Sequence, residues 1–215
     1  MHLSANQLKD LLRSLADALQ LKGVKSIVKD VTPKLLNFIK QSMYPNLRHN
    51  RRFVRSITHA AISQMTAEEV LIFIRVSWRP FMEGINLQFK KAKCPMHPVM
   101  YEVMKAFELL EGILLKVLDR RGLQCSISEL EDAALAYIEH LQTASTEWLG
   151  KKRAIFSGGY VTLCVHSLLH YGQCIAIWGN LFESWSFEFE RVAGELTDIV
   201  KDYNGKSFLG KLAMS

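Results

Sequence analysis

Apolar residues return every three or four positions in one segment of this chain after another, and that spacing constrains the fold more than any other feature. Leu8, Leu12, Leu15 and Leu19 form one stripe, and Met100, Val103, Met104, Phe107, Leu110, Leu114 and Leu118 form a longer one. Leu130, Ala134, Tyr137 and Leu141 form a third. Trp185, Phe189, Val192, Leu196, Ile199 and Tyr203 repeat the pattern, with Asn204-Gly205 as its stop. A 3.6-residue helix gathers such positions on one face, whereas a half-buried strand needs strict alternation. The 5 prolines and 12 glycines among 215 residues are too few for the tight turns of an all-β protein.

Helix-start signals agree with the stripes. Ser4 with Gln7 reads as a cap and its return bond, with Leu3 and Leu8 as a hydrophobic staple. A short helix is expected from about Lys22 to Val31, and Thr32-Pro33 opens the next, which ends near Tyr44-Pro45. Phe53, Ile57, Ala60 and Ala61 stripe another. Thr66 and Glu69 form a capping box for a helix through Leu71, Ile74 and Trp78 that stops before Pro80, leaving residues 81–98 as the least regular stretch, with a short helix and a loop expected there. Pro98 opens the long helix that Gly122 ends, and Ser128 with Glu131 caps the one after it.

From Ile155 to Trp178 there is no charged residue, but Gly158, Gly159, His166, His170 and Gln173 would need partners in lipid. That favours a core helix at about 155–178 over a membrane span. The fold expected is all-α: a single helical domain over 1–215, a multi-helix globular bundle of about eight or nine helices around an apolar central helix.

Charge is segregated along the chain. The formal balance is +6 overall, but residues 1–60 carry 11 basic against 3 acidic side chains, and residues 111–150 are net −4. Lys22, Lys25 and Lys29 share a helical face, and Arg48, Arg51, Arg52 and Arg55 crowd into the sequence RHNRRFVR. Arginines and lysines on one face suit a phosphate backbone, so RNA or DNA binding through the basic N-terminal part is one functional reading. The blander reading is a solvated surface paired with the acidic residues near 129–139. The runs Lys90-Lys91-Lys93 and Lys151-Lys152-Arg153 would extend the basic patch if the fold joined them.

Chemical motifs are scarce. The chain has no HExxH, Walker A loop, dinucleotide fingerprint or GxSxG elbow. Glu68-Glu69 and the acids at 129, 131 and 132 sit where first-turn carboxylates favour a helix dipole. Cys94 and His97 form a Cys-x-x-His pair, and His166 and His170 lie four apart with Cys174 four further on. Joined together, Cys94, His97, His166 and His170 would make a tetrahedral zinc site, and Cys94 with His97 a nucleophile pair. These are alternatives, and no catalytic residue, cofactor or tightly held metal is expected. The four cysteines do not form a secreted disulfide framework and MHLSANQLKD lacks a signal-peptide core, so the expected location is intracellular, cytoplasmic or nuclear.

The first helix is similar in register to the short amphipathic homology helix of the Bcl-2 family. Leu8, Leu12, Leu15 and Leu19 hold its four apolar places, and Ala16-Asp17 its small residue and aspartate. The chain departs from that family elsewhere: it has no Asn-Trp-Gly-Arg sequence, and Phe156-Ser157-Gly158-Gly159-Tyr160 lacks the arginine. No family is assigned from this likeness. The leading functional reading is a non-enzymatic helical interaction or scaffold protein. It would bind a macromolecular partner, above all a protein, through a groove or face.

Overall fold

The leucine stripe of the first segment becomes the inner face of a 19-residue helix, α1 (His2–Gln20), on which Leu8, Leu11, Leu12 and Leu15 are no more than 1% exposed. The computed structural model describes residues 2–43, 54, 56–117, 123, 125–148, 151–156 and 163–179. α1 lies against α7 (Pro98–Val117), whose Met100, Val103, Ala106, Leu110 and Ile113 are fully buried. These two helices are the middle of the bundle. Around them stand α2 (Lys22–Val28), α4 (His59–Gln64), α5 (Ala67–Ile72), α8 (Ile127–Thr143) and α9 (Leu163–His166). α3 (Thr32–Met43) and α2 pack on α6 (Trp78–Lys91), and α10 (Tyr171–Trp178) packs on α8.

The all-α bundle is therefore present. A π-turn at Phe73–Ser77 joins α5 to α6 without a break, and a 3-10 turn at Ser167–His170 joins α9 to α10. Counting each joined pair once leaves eight helices among the described residues. Among those residues no helix is long and apolar enough to cross a membrane. The only β structure among them is an antiparallel hairpin of β1 (Ser145–Trp148) and β2 (Lys151–Ala154), with Glu147 in register with Lys152. The basic run Lys151-Lys152-Arg153 thus lies in a strand.

The expectation of a core helix at about 155–178 is corrected in its position and shape. The described part of that segment is three helical pieces that bury one side only. Val165 and Leu168 are buried, while His166, His170, Gln173 and Ile177 are exposed. Positions 166, 170, 173 and 177 fall on one helical face. Two histidines and a glutamine mark that face as the wet one, and the lack of charge concealed it. The apolar centre belongs to α7.

Four element boundaries also move. The helix expected to stop before Pro80 continues to Lys91, so the short helix expected after Pro80 is the continuation of this one rather than a separate element. Proline offers no N–H to the carbonyl four residues back and crowds it. The wider turn just upstream, where the Trp78 N–H reaches back to the Phe73 carbonyl, accommodates that ring. The α8 capping box is Ser126 with Glu129, not Ser128 with Glu131. With Ser126 as cap, Leu130 is the fourth helical residue and buried, and Cys125 packs beside the core before the cap, as a hydrophobic staple requires. Starting at Ser128 would give that place to Asp132, which is exposed. α1 begins at His2, so Ser4 lies within its first turn. Ile57 is buried in the stretch before α4, whose cap is Thr58. The helix expected at 185–203 lies outside the described residues.

Candidate functional site

Most groups singled out from the sequence fall among the described residues. On α2, Val24 and Val28 turn inward, and Lys22, Lys25 and Lys29 are all exposed. They do share one outward face, as their spacing requires. Arg48, Arg51, Arg52 and Arg55 lie outside the described residues. Lys90, Lys91 and Lys93 stand exposed at the end of α6, the helix on which α2 packs.

The Cys-x-x-His pair serves the backbone. Lys93 adopts a left-handed conformation with φ 54°. Its N–H reaches the Lys90 carbonyl (3.0 Å), and the Cys94 N–H reaches back to Phe89 (3.0 Å), closing α6 in the manner of a Schellman motif. His97 then starts the next helix, because its Nδ1 accepts the Val99 N–H at 3.3 Å and its carbonyl accepts from Met100. The Cys94 thiol is exposed and donates to the Ala92 carbonyl at 3.4 Å. On the wet face of the α9–α10 rod, the His166 and His170 Nε2 atoms are 3.2 Å apart, and His170 Nδ1 is 3.4 Å from Gln173 Oε1. Among the described residues no three or more His, Cys, Asp or Glu side chains come together as a metal-binding group. The four-residue combination of Cys94, His97, His166 and His170 is accordingly not assembled.

A charged pair not singled out from the sequence sits beside the π-turn. Glu111 lies on the buried side of α7, and its side chain is only 5% exposed. Arg79 Nε and Nη2 both donate to Glu111 Oε2, at 2.8 and 2.5 Å. This hydrogen bonding, with the nearby charges of Glu111, Glu108 and Glu83, raises the Arg79 pKa against its partial desolvation. The Arg79 guanidinium carbon stands 5.1 Å from the centre of the Trp78 ring, which stacks on Phe107 at 5.7 Å. Ile74, Arg75, Pro80 and Glu83 complete a cleft of about 290 Å³ over this pair. Its floor is aromatic and its carboxylate is already satisfied. Glu83 is a second carboxylate in its lining. The sequence did contain a signal: Glu111 falls between Phe107 and Leu114 on an otherwise apolar stripe, and a charge there demands a partner.

Large exposed apolar side chains are a second feature. Phe38 on α3 is 65% exposed and Leu87 on α6 is 50% exposed. α3 meets α6 where Leu35 lies over Gly84, so closely that a Cβ there would come within 2.6 Å of Leu35 Cδ2. Phe38 and Leu87 are each three residues, about one turn, beyond that crossing point. Lys34 precedes Phe38 by four residues, and Lys90 and Lys91 follow Leu87 by three and four, so each apolar side chain has an exposed lysine on its own face.

Comparison with protein-family models, with curated proteins and with solved structures gave no match.

Proposed function

We propose that this chain is a non-enzymatic helical interaction protein, binding a macromolecular partner, most directly another protein, through the face formed by α2, α3 and α6. The observation that carries this reading is the pair Phe38 and Leu87, large apolar groups left in water beside the α3–α6 crossing and set among lysines. Protein interfaces take their affinity from a few buried aromatic and aliphatic anchors, with charges at the rim acting mainly on association rate. Phe38 and Leu87 fit the anchor role and Lys34, Lys90 and Lys91 the rim. The partner would work with the chain inside the cell, in the cytoplasm or nucleus. Support for that location comes from Cys94, Cys125 and Cys174, which are all free thiols.

A photo-crosslinking residue at position 38 should give one discrete protein adduct in cell extract, and the same residue at exposed Ser63 on α4 should not. Identical adduct patterns from both positions would remove the α2–α3–α6 face from the proposal. The second reading, nucleic-acid binding, is favoured by the three outward lysines of α2 and by the arginine-rich stretch that follows α3 in the sequence. It is tested by titrating single-stranded RNA and duplex DNA at two salt concentrations. Changing Arg48, Arg51, Arg52 and Arg55 to alanine should then weaken binding to unrelated sequences and flatten its salt dependence. Absence of binding to either nucleic acid at low salt would eliminate that reading.

A further inference from the structure

We propose that His166 and His170 form a bidentate surface site for a divalent transition-metal ion that favours imidazole, Zn2+ in the first instance. Both rings are exposed and stand one turn apart on the wet face of the α9–α10 rod. Histidines four apart on a helix are a known way to present two nitrogens to one ion.

Two independent distances define the site, 3.2 Å between the Nε2 atoms and 5.0 Å between the ring centres. A metal sits about 2.0–2.1 Å from an imidazole nitrogen, so nitrogens 3.2 Å apart subtend an angle of about 100° at it, near the tetrahedral value. A ring nitrogen lies about 1.1 Å from its ring centre, which puts that metal about 3.2 Å from both centres. At the same angle the two centres should then be about 5.0 Å apart, and they are. A straight hydrogen bond between the two nitrogens would instead set the centres about 5.4 Å apart. Both distances are those of two imidazoles whose Nε2 atoms share one ion beside the helix.

The third residue of the wet face supports the same chemistry. His170 Nδ1–H can donate to Gln173 Oε1, 3.4 Å away, which leaves Nε2 as the unprotonated, ligating nitrogen. With His170 in that tautomer, the proton shared between the rings belongs to His166 Nε2 in the metal-free protein. Binding moves that proton to Nδ1 of the same ring, so neither imidazole need change its charge. Two protein ligands leave the remaining positions to solvent. The ion is thus exchangeable, unlike one in a closed four-ligand structural centre. Imidazole nitrogen suits Zn2+, Ni2+ and Cu2+ far better than Mg2+ or Ca2+.

The test is calorimetric titration of the full chain, free of any histidine tag, with Zn2+ and separately with Mg2+. One Zn2+ should bind saturably and Mg2+ should not. His166→Ala and His170→Ala should each weaken Zn2+ binding by more than about 10-fold, at least what loss of an outer-shell partner costs. Cys174→Ser and His97→Ala should leave it unchanged. Circular dichroism of each variant checks that the helices persist. As a second readout, Ni2+ should broaden amide resonances most strongly around residues 166–173. Zn2+ affinity unchanged in both histidine variants, or broadening centred elsewhere, would overturn the proposal.

Discussion

Glu111 occupies a place that the rest of α7 reserves for hydrocarbon, and Arg79 from α6 makes it tolerable there. An unsatisfied buried acceptor costs about 1–3 kcal/mol, so Arg79→Ala should lower the unfolding free energy by an amount in that range, read from a lowered denaturant midpoint. Combining it with Glu111→Leu should recover most of the loss, because no charge is then left without its partner. If the double variant is no more stable than the single one, the pair is not what holds that corner. A second carboxylate gives a pH prediction. The backbone N–H and the hydroxyl of Ser126 hold the Glu129 pKa below its ordinary value. A depressed carboxylate stabilises the fold above its unfolded pKa, and that contribution disappears as the pH falls through the lower, folded value. Glu129→Gln should therefore flatten the acid limb of a stability-versus-pH curve. Half of the Arg79–Glu111 arrangement was visible in the sequence, since a carboxylate on an apolar stripe announces a need. Its partner lies 32 residues away, and nothing local pointed to it.

At the scale of elements, the glycines separate substitutions that space permits from those it forbids. Gly112 on α7 has open space where a side chain would begin, because a Cβ there would meet nothing within 4 Å. Gly112→Ala should raise stability by about 0.5–1 kcal/mol, the usual cost of glycine in a helix interior. Gly172 is the opposite case, because a Cβ there would come within 2.5 Å of Ile127 Cγ2. Ile127 is β-branched and stiff at χ1, so it cannot swing that methyl aside cheaply. Gly172→Ala should destabilise the contact of α10 with α8, and a thermal melt of the two alanine variants should move them in opposite directions. The helices themselves were largely readable from spacing and caps. Thr66 and Glu69 form the capping box their sequence implies, with Thr66 N–H to Glu69 Oε2 at 2.7 Å. Where boundaries moved, a local rule met a tertiary constraint: the core's demand for Leu130 chose between two overlapping Ser-x-x-Glu boxes, and packing of Phe81, Met82, Ile85 and Phe89 carried α6 past Pro80.

For the whole molecule, the core is one connected body, running from Leu8 on α1 through Leu110 on α7 to Leu168 at the edge. Leu110→Ala and Leu168→Ala should each cost about 2–5 kcal/mol, since both side chains are fully buried. Ile177→Ala should shift the denaturant midpoint little, because Ile177 is 71% exposed. Equal losses at Leu168 and Ile177 would contradict the one-sided packing of the α9–α10 rod. The all-α class followed from periodicity, but which helix lies innermost did not, because a charge-free segment and a buried one are different things. The site was less legible than the fold. Lys22, Lys25 and Lys29 share their expected face, whereas the face proposed around Phe38 and Leu87 depends on where α3 crosses α6, which no local pattern gives.

The turn at Phe73–Ser77 also has a consequence for how this chain tolerates length changes. A π-turn is an α-helix with one residue inserted, and each residue of an α-helix turns the axis by about 100°. Deleting one residue between 73 and 77 would take out the extra residue and let the rod close into a regular helix with everything downstream close to its present phase. Deleting Glu83, inside the regular part of α6, leaves no wide turn to absorb the change and would rotate the rest of that helix by about 100°. Ile85 and Phe89, both buried, would then swing out of the core together. The wide turn is thus the one place in this rod with slack for length, and a one-residue deletion there should keep cooperative unfolding where deletion of Glu83 should abolish it.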